Sequence, residues 1–110
     1  MNILISIQTL ALNKQYALRP HALTHMLSEG FDEKDIIESI GNGKIIEDYY
    51  EEDRCLISGK FQLTEKTYEN LHVVIDYWSE SGKVDWIDIV TAYIPRLPFW
   101  RTPYIRGKRK

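Results

Sequence analysis

Cysteine is nearly absent from this chain, and so are long apolar runs, glycine-rich loops and histidine. One cysteine, Cys55, in 110 residues excludes an internal disulfide framework and offers no cysteine pair for a structural metal site. It stands in the apolar run RCLISG and reads as a buried, inert thiol. The longest apolar runs, NILISI and DIVTAYI, fall far short of the roughly 20 residues a spanning helix needs. The start of the chain has neither the basic region nor the cleavage site of a signal peptide. A cytoplasmic protein with no membrane partner is therefore expected. The chain also lacks a glycine-rich phosphate loop and a G-x-S-x-G elbow, so nucleotide hydrolysis and serine-hydrolase chemistry have no basis.

What is present is an ordinary globular composition, 44% apolar and 27% charged, with an uneven charge distribution. The net charge is −2, yet Arg96, Arg101, Arg106, Lys108, Arg109 and Lys110 close the chain without a single acid. Everything before them is acidic on balance. A basic end with Trp100 and Tyr104 interleaved suits phosphate contact and base stacking, which makes Arg101 and Arg106 candidate RNA contacts. A solvated tail, or one folded back onto the acidic body, is the competing reading. The length implies one domain, expected over residues 1–100 with a basic tail at 101–110.

Helical patterns come first. Residues 2–13 mix an alternating Ile3, Ile5, Ile7 with helix-favouring Leu and Ala, and are expected to be helical. Pro20 suits a first helical position and Gly30 a left-handed cap, which predicts a helix over 20–29. Asp32 reads as an N-cap with Asp35 three residues on, ahead of the stripe Ile36, Ile37, Ile40 and the stop at GNG, 41–43. From there the period becomes two and the residues β-branched and aromatic, predicting strands over 44–50, 54–63, 71–78 and 84–94. Short polar links between them imply an antiparallel meander. The expected architecture is α+β, with two or three N-terminal helices on one four-stranded antiparallel sheet. Alternation puts Leu71, Val73, Ile75 and Tyr77 on one side of the third strand and His72, Val74, Asp76 and Trp78 on the other. In the fourth strand it groups Ile87, Ile89, Thr91 and Tyr93 against Val84, Trp86, Val90, Ala92 and Ile94.

The blocks HALTHMLSEGF, IGNGKIIEDYYEED, CLISG, LHVV, VTAYIP and FW, in this order and spacing, resemble the bacterial domain-of-unknown-function family 4258 over about residues 16–100. The branch encoded beside zinc-ribbon antitoxins of the YgiT/MqsA type is the most similar. The resemblance implies a RelE-like or barnase-like toxin fold, the toxin half of a type II toxin–antitoxin pair, and cleavage of RNA as an mRNA interferase does. Its partners would be a zinc-ribbon antitoxin protein and an RNA substrate, with no cofactor. His21 falls on the histidine that opens the family's helix motif, with Ala22 and Met26 in register and Gly30 closing it. Gly43, Asp48, Tyr49, His72, Thr91, Tyr93 and Pro95 match later blocks. Many wider-family members carry arginine where this chain has His25 and Glu29, which moves attention for phosphate binding to Arg54 and the basic tail.

Metal-independent RNA cleavage needs a base for the 2′-hydroxyl, an acid for the leaving 5′-oxygen and a cation or donor for the charge on phosphorus. Histidine, with an unperturbed pKa of ~6.5, serves either proton role near neutrality. His21 and His72 are the expected pair, with His25 beside them, Tyr93 or Thr91 as donors to a phosphate oxygen and Arg54 as the balancing cation. The alternative is that these histidines are satisfied polar residues of a non-catalytic interaction module or an inactive toxin remnant. The spacing of His21 and His25 also suits a shared zinc ion. The zinc-peptidase motif with this spacing places a glutamate next to its first histidine, where this chain has Ala22, so no metal is expected.

Overall fold

The computed structural model describes residues 2–80, 83–97 and 99–107. Three helices precede the antiparallel strands. Helix α1 spans Ile3–Leu12, started by the Asn2 side chain, which accepts from the amides of Leu4 and Ile5. Helix α2 spans Pro20–Glu29, with proline at its first position and Gly30 at φ 80° ending it. Helix α3 spans Glu33–Asn42 and opens on a reciprocal capping box between Asp32 and Asp35.

The strands are β1 (Tyr16–Leu18), β2 (Lys44–Tyr49), β3 (Arg54–Gln62), β4 (Tyr68–Glu80) and β5 (Lys83–Tyr93), with a short 3₁₀ turn at Tyr50–Glu52. They form one sheet in the order β1, β5, β4, β3, β2. The sheet therefore has five strands, not the four expected. The additional strand, β1, pairs parallel to β5 through Tyr16–Leu18 against Ile87–Ile89. Three residues are too few to show a period, and a parallel partner lies too far along the chain to be read from local pattern. The four strands β2 to β5 are antiparallel neighbours, as expected.

All three helices lie on one face of the sheet. Ile7 of α1, Ala22 of α2 and Ile36 and Ile40 of α3 meet Ile57, Leu71, Val73, Ile75, Ile87 and Ile89, all fully buried. Each such aliphatic side chain contributes about 1.5–3 kcal/mol on burial. Helix α3 comes so close to β3 that a Cβ on Gly59 would stand 1.9 Å from the Ser39 carbonyl oxygen, so only glycine fits there. Cys55 is buried in this core, and burial pushes its thiol up to about 12.

A β-bulge changes the face assignment in β5. Val73 pairs with Ala92 and His72 with Tyr93, but Ile75 pairs with Ile89, so the register slips by one between Val74 and Ile75. Thr91 and Tyr93 consequently stand on the side opposite Ile87 and Ile89, not with them as uniform alternation predicts. The extra residue inverts every side chain beyond it.

The chain after residue 100 begins as a second, two-stranded sheet, β6 (Trp100–Thr102) and β7 (Ile105–Arg106). Thr102 Oγ1 accepts from the amides of Tyr104 and Ile105, and Pro103 sets the turn's first corner. Residues 108–110, the remainder of the expected basic tail, lie outside the described residues.

Candidate functional site

The face of the sheet away from the helices carries His72, Val74, Asp76 and Trp78 from β4, facing Ser58, Leu56 and Arg54 of β3 and Tyr93, Thr91, Asp88 and Trp86 of β5. The β6–β7 hairpin docks on one half of this face. The Pro103 carbonyl accepts from His72 Nε2 at 2.7 Å and from Ser58 Oγ at 3.3 Å. With Nε2 carrying the proton, Nδ1 is an acceptor, and the Tyr93 hydroxyl donates to it at 3.3 Å. The Trp100 ring stands edge-on to His72 at 4.4 Å. His72 is thus wholly buried and hydrogen-bonded at both nitrogens.

Burial holds its pKa below the ordinary histidine value. The Pro103 bond and Glu47 act the other way, and Arg106 adds to the lowering. The ring is neutral at pH 7. Arg106 closes the hairpin down. Its guanidinium meets Glu47 through two bonds of 2.8 and 2.9 Å and lies 4.3 Å over the Trp100 ring. The paired guanidinium holds the Glu47 carboxyl below its usual range, helped by a hydrogen bond from Tyr49.

Helix α2 presents a second group. His21, His25 and Glu29 follow at intervals of four along one stripe. His21 is exposed, and its ring meets His25 edge-on with centroids 4.7 Å apart. His25 Nδ1 bonds Glu29 Oε2 at 2.5 Å, and Glu29 Oε1 accepts the Ile94 amide at 3.0 Å. The carboxylate therefore fixes the imidazole with Nδ1 as donor and leaves Nε2 as its second proton site. His25 and Glu29 thus satisfy one another.

Glu29 also lines a cleft of about 490 Å³ between the end of α2, the end of β5 and the hairpin. Its other walls include Tyr93, Arg96, Phe99, Trp100 and Arg106. A carboxylate-held histidine thus neighbours a cleft with two arginines and three aromatic rings. Arg96 forms no ion pair among the described residues.

The predicted residues divide between three places. Tyr93 and Arg106 line the cleft, and His25 reaches it through Glu29. Among the described residues, no hydrogen bond or ring contact joins His21 or His25 to His72, which lies under the hairpin. Arg54 lies elsewhere on the sheet. It binds Asp76 at 2.5 and 3.1 Å, and Arg19 joins Asp76 to Asp88 at 2.9 Å each, so its charge is already matched. The Thr91 hydroxyl is buried with no partner among the described residues, and Arg101 is exposed on β6. Glu29, Glu47 and Arg96 were missed. The i, i+4 spacing of His25 and Glu29 carried a signal for the first. Glu47 carried none, since its partner is distant in sequence.

Fold and site together define a small α+β domain with a latched, neutral histidine on its sheet and a histidine–glutamate pair beside a cationic, aromatic cleft. Residues 18–94 match the family model described as "Domain of unknown function (DUF4258)", and the chain belongs to that family. The matched region runs from the end of β1 to just past β5, so α1 and the hairpin lie outside it. No curated protein and no solved structure matches the chain. No helix among the described residues is long and apolar enough to cross a membrane.

Proposed function

We propose that this protein is the toxin of a bacterial type II toxin–antitoxin pair, with a RelE-like domain that cleaves RNA without a metal and is silenced by a zinc-ribbon antitoxin. The observation that carries the reading is the cleft beside Glu29, where Arg96 and Arg106 meet Phe99, Trp100 and Tyr93 next to the His25–Glu29 pair. In the proposed reaction His25 Nε2 takes the 2′-hydroxyl proton and the 2′-oxygen attacks phosphorus. The 5′-oxygen leaves with a proton from His21 as imidazolium, giving a 2′,3′-cyclic phosphate. Arg96 receives the charge on the phosphate oxygens. Burial raises the Tyr93 pKa, so the phenol keeps the proton it donates to His72 Nδ1, and that bond holds the ring in place on the cleft wall.

The test is cleavage of total RNA and growth arrest on expression. His25→Ala and His21→Ala are expected to cut cleavage by about 10²–10⁴-fold each while the fold is retained. Unchanged cleavage in both variants refutes the assigned chemistry. A second reading has its own support. Trp78 and Trp86 form an exposed cross-strand pair beside the Arg19–Asp76–Arg54 network, a flat aromatic surface suited to a protein partner. A non-catalytic interaction module predicts no arrest and no cleavage by the wild type, and loss of partner capture in Trp86→Ala.

A further inference from the structure

On the other side of the hairpin a second cleft, of about 400 Å³, opens on the same sheet face. That size falls within the roughly 300–1,000 Å³ typical of small-ligand sites. Lys44 of β2 faces Ser58, and Lys60 lies two residues further along β3, so both amines rise from the face that holds His72. Neither lysine forms an ion pair among the described residues, and the cleft lining contains no carboxylate. Asn42 Nδ2 donates to the Lys60 carbonyl at 2.8 Å and its Oδ1 accepts from the Lys60 amide at 2.9 Å, which fixes that lysine's backbone.

Two aromatic rings complete the walls. Tyr68 is 59% exposed on β4, and Tyr104 is 54% exposed at the turn of the hairpin. Neither ring belongs to the core.

We infer that this cleft is a binding site for a single-stranded nucleic-acid segment, with Lys44 and Lys60 on its phosphates and Tyr68 and Tyr104 stacked on its bases. Unpaired amines combined with open aromatic faces are the two elements a single strand uses, charge along its backbone and flat bases beside it. An acidic peptide would use the amines and leave the rings idle. The inference rests on RNA as the ligand and extends that reading, because the hairpin lines both clefts. Trp100 and Arg106 wall the first, and Tyr104 walls the second. A strand occupying both crosses the hairpin, where Arg101 is exposed.

The experiment uses the full chain and a fluorescent 2′-O-methyl oligouridylate, which lacks the nucleophile for cleavage, with anisotropy read across a salt series. Lys44→Ala with Lys60→Ala is expected to lower the slope of log affinity against log salt by about 1.4, at about 0.7 per phosphate contact. Tyr68→Ala and Tyr104→Ala are expected to weaken binding about 5- to 150-fold each without changing the slope, and an abasic probe is expected not to sense them. Thermal melting confirms that these surface variants fold.

Binding unaltered by all four substitutions but weakened by Arg96→Ala overturns this cleft and leaves the proposed function standing. Loss of cleavage in His25→Ala, scored separately on natural RNA, tests that function alone. Failure of the wild type to bind the probe at low salt overturns the inference. An oligoglutamate that displaces the probe as strongly as unlabelled oligonucleotide, with no effect of the tyrosine substitutions, overturns the nucleic-acid assignment in favour of an acidic peptide.

Discussion

Lowering the pH from 7.5 to 5.5 should destabilise this protein through His72, and the size of the loss follows from where that ring sits. In the fold it is wholly buried, donates from Nε2 to Pro103 and accepts from Tyr93 at Nδ1, with Trp100, Ser58, Arg106 and Glu47 around it. Burial lowers its pKa, so the unfolded chain takes up a proton before the folded one does. Stability is then fully present above the unfolded value of ~6.5 and is lost as pH falls from there toward the folded value. The loss at pH 5.5 is at most about 1.4 kcal/mol, the limit for one proton over one unit. Arg106 holds Glu47 below its usual range, which keeps that neighbouring carboxylate out of the window. Urea unfolding followed by circular dichroism at half-unit pH steps measures the slope. The same series in His72→Gln isolates the ring from His21 and His25. Equal pH slopes in wild type and His72→Gln would refute the assignment of His72 as a buried neutral latch.

Three further outcomes are expected. Gly59→Ala should cost at least the ~1–3 kcal/mol of an overpacked core, because the new methyl meets the Ser39 backbone at 1.9 Å and backbone cannot rotate away; urea midpoints give the number. Arg106→Ala should release the hairpin. Its pair with Glu47 is partly exposed, so that bond and the stacking on Trp100 together contribute about 1 kcal/mol, read as faster amide exchange at residues 100–106 with little change in global unfolding. Cys55, with its thiol pushed up to about 12, should resist iodoacetamide at pH 8 in the native protein and react on unfolding. Labelling of the folded chain at the unfolded rate would show that the β3 core opens readily.

The helices were legible because their ends are written locally. Pro20, Gly30 and the Asp32/Asp35 pair each satisfy backbone groups within a few residues of themselves, so spacing alone reveals them. The candidate site was legible only where it is helical in the same sense, in the stripe His21, His25, Glu29. The reading that paired His21 with His72 across helix and sheet took two histidines as partners. The contacts tie one to α2 and the other to the hairpin. A regular alternation in β5 misassigned Thr91 and Tyr93, since a bulge is a property of two paired strands and not of one. The basic end read as a tail because its turn, TPY, is short and its anchors, His72 and Glu47, lie far back in the chain.

What the sequence determined by itself, then, was the order and type of the main elements and the family. Apolar period, caps and turn residues act over a few residues and leave their mark in the letters. Tertiary structure alone decided which residues meet. It added β1 as a parallel strand, slipped the β5 register, folded the hairpin over His72 and left His25 with Glu29 at the mouth of a cleft. Burial, pKa and pairing depend on neighbours that only chain closure brings together, and that closure turned one histidine into a latch and left two at the surface.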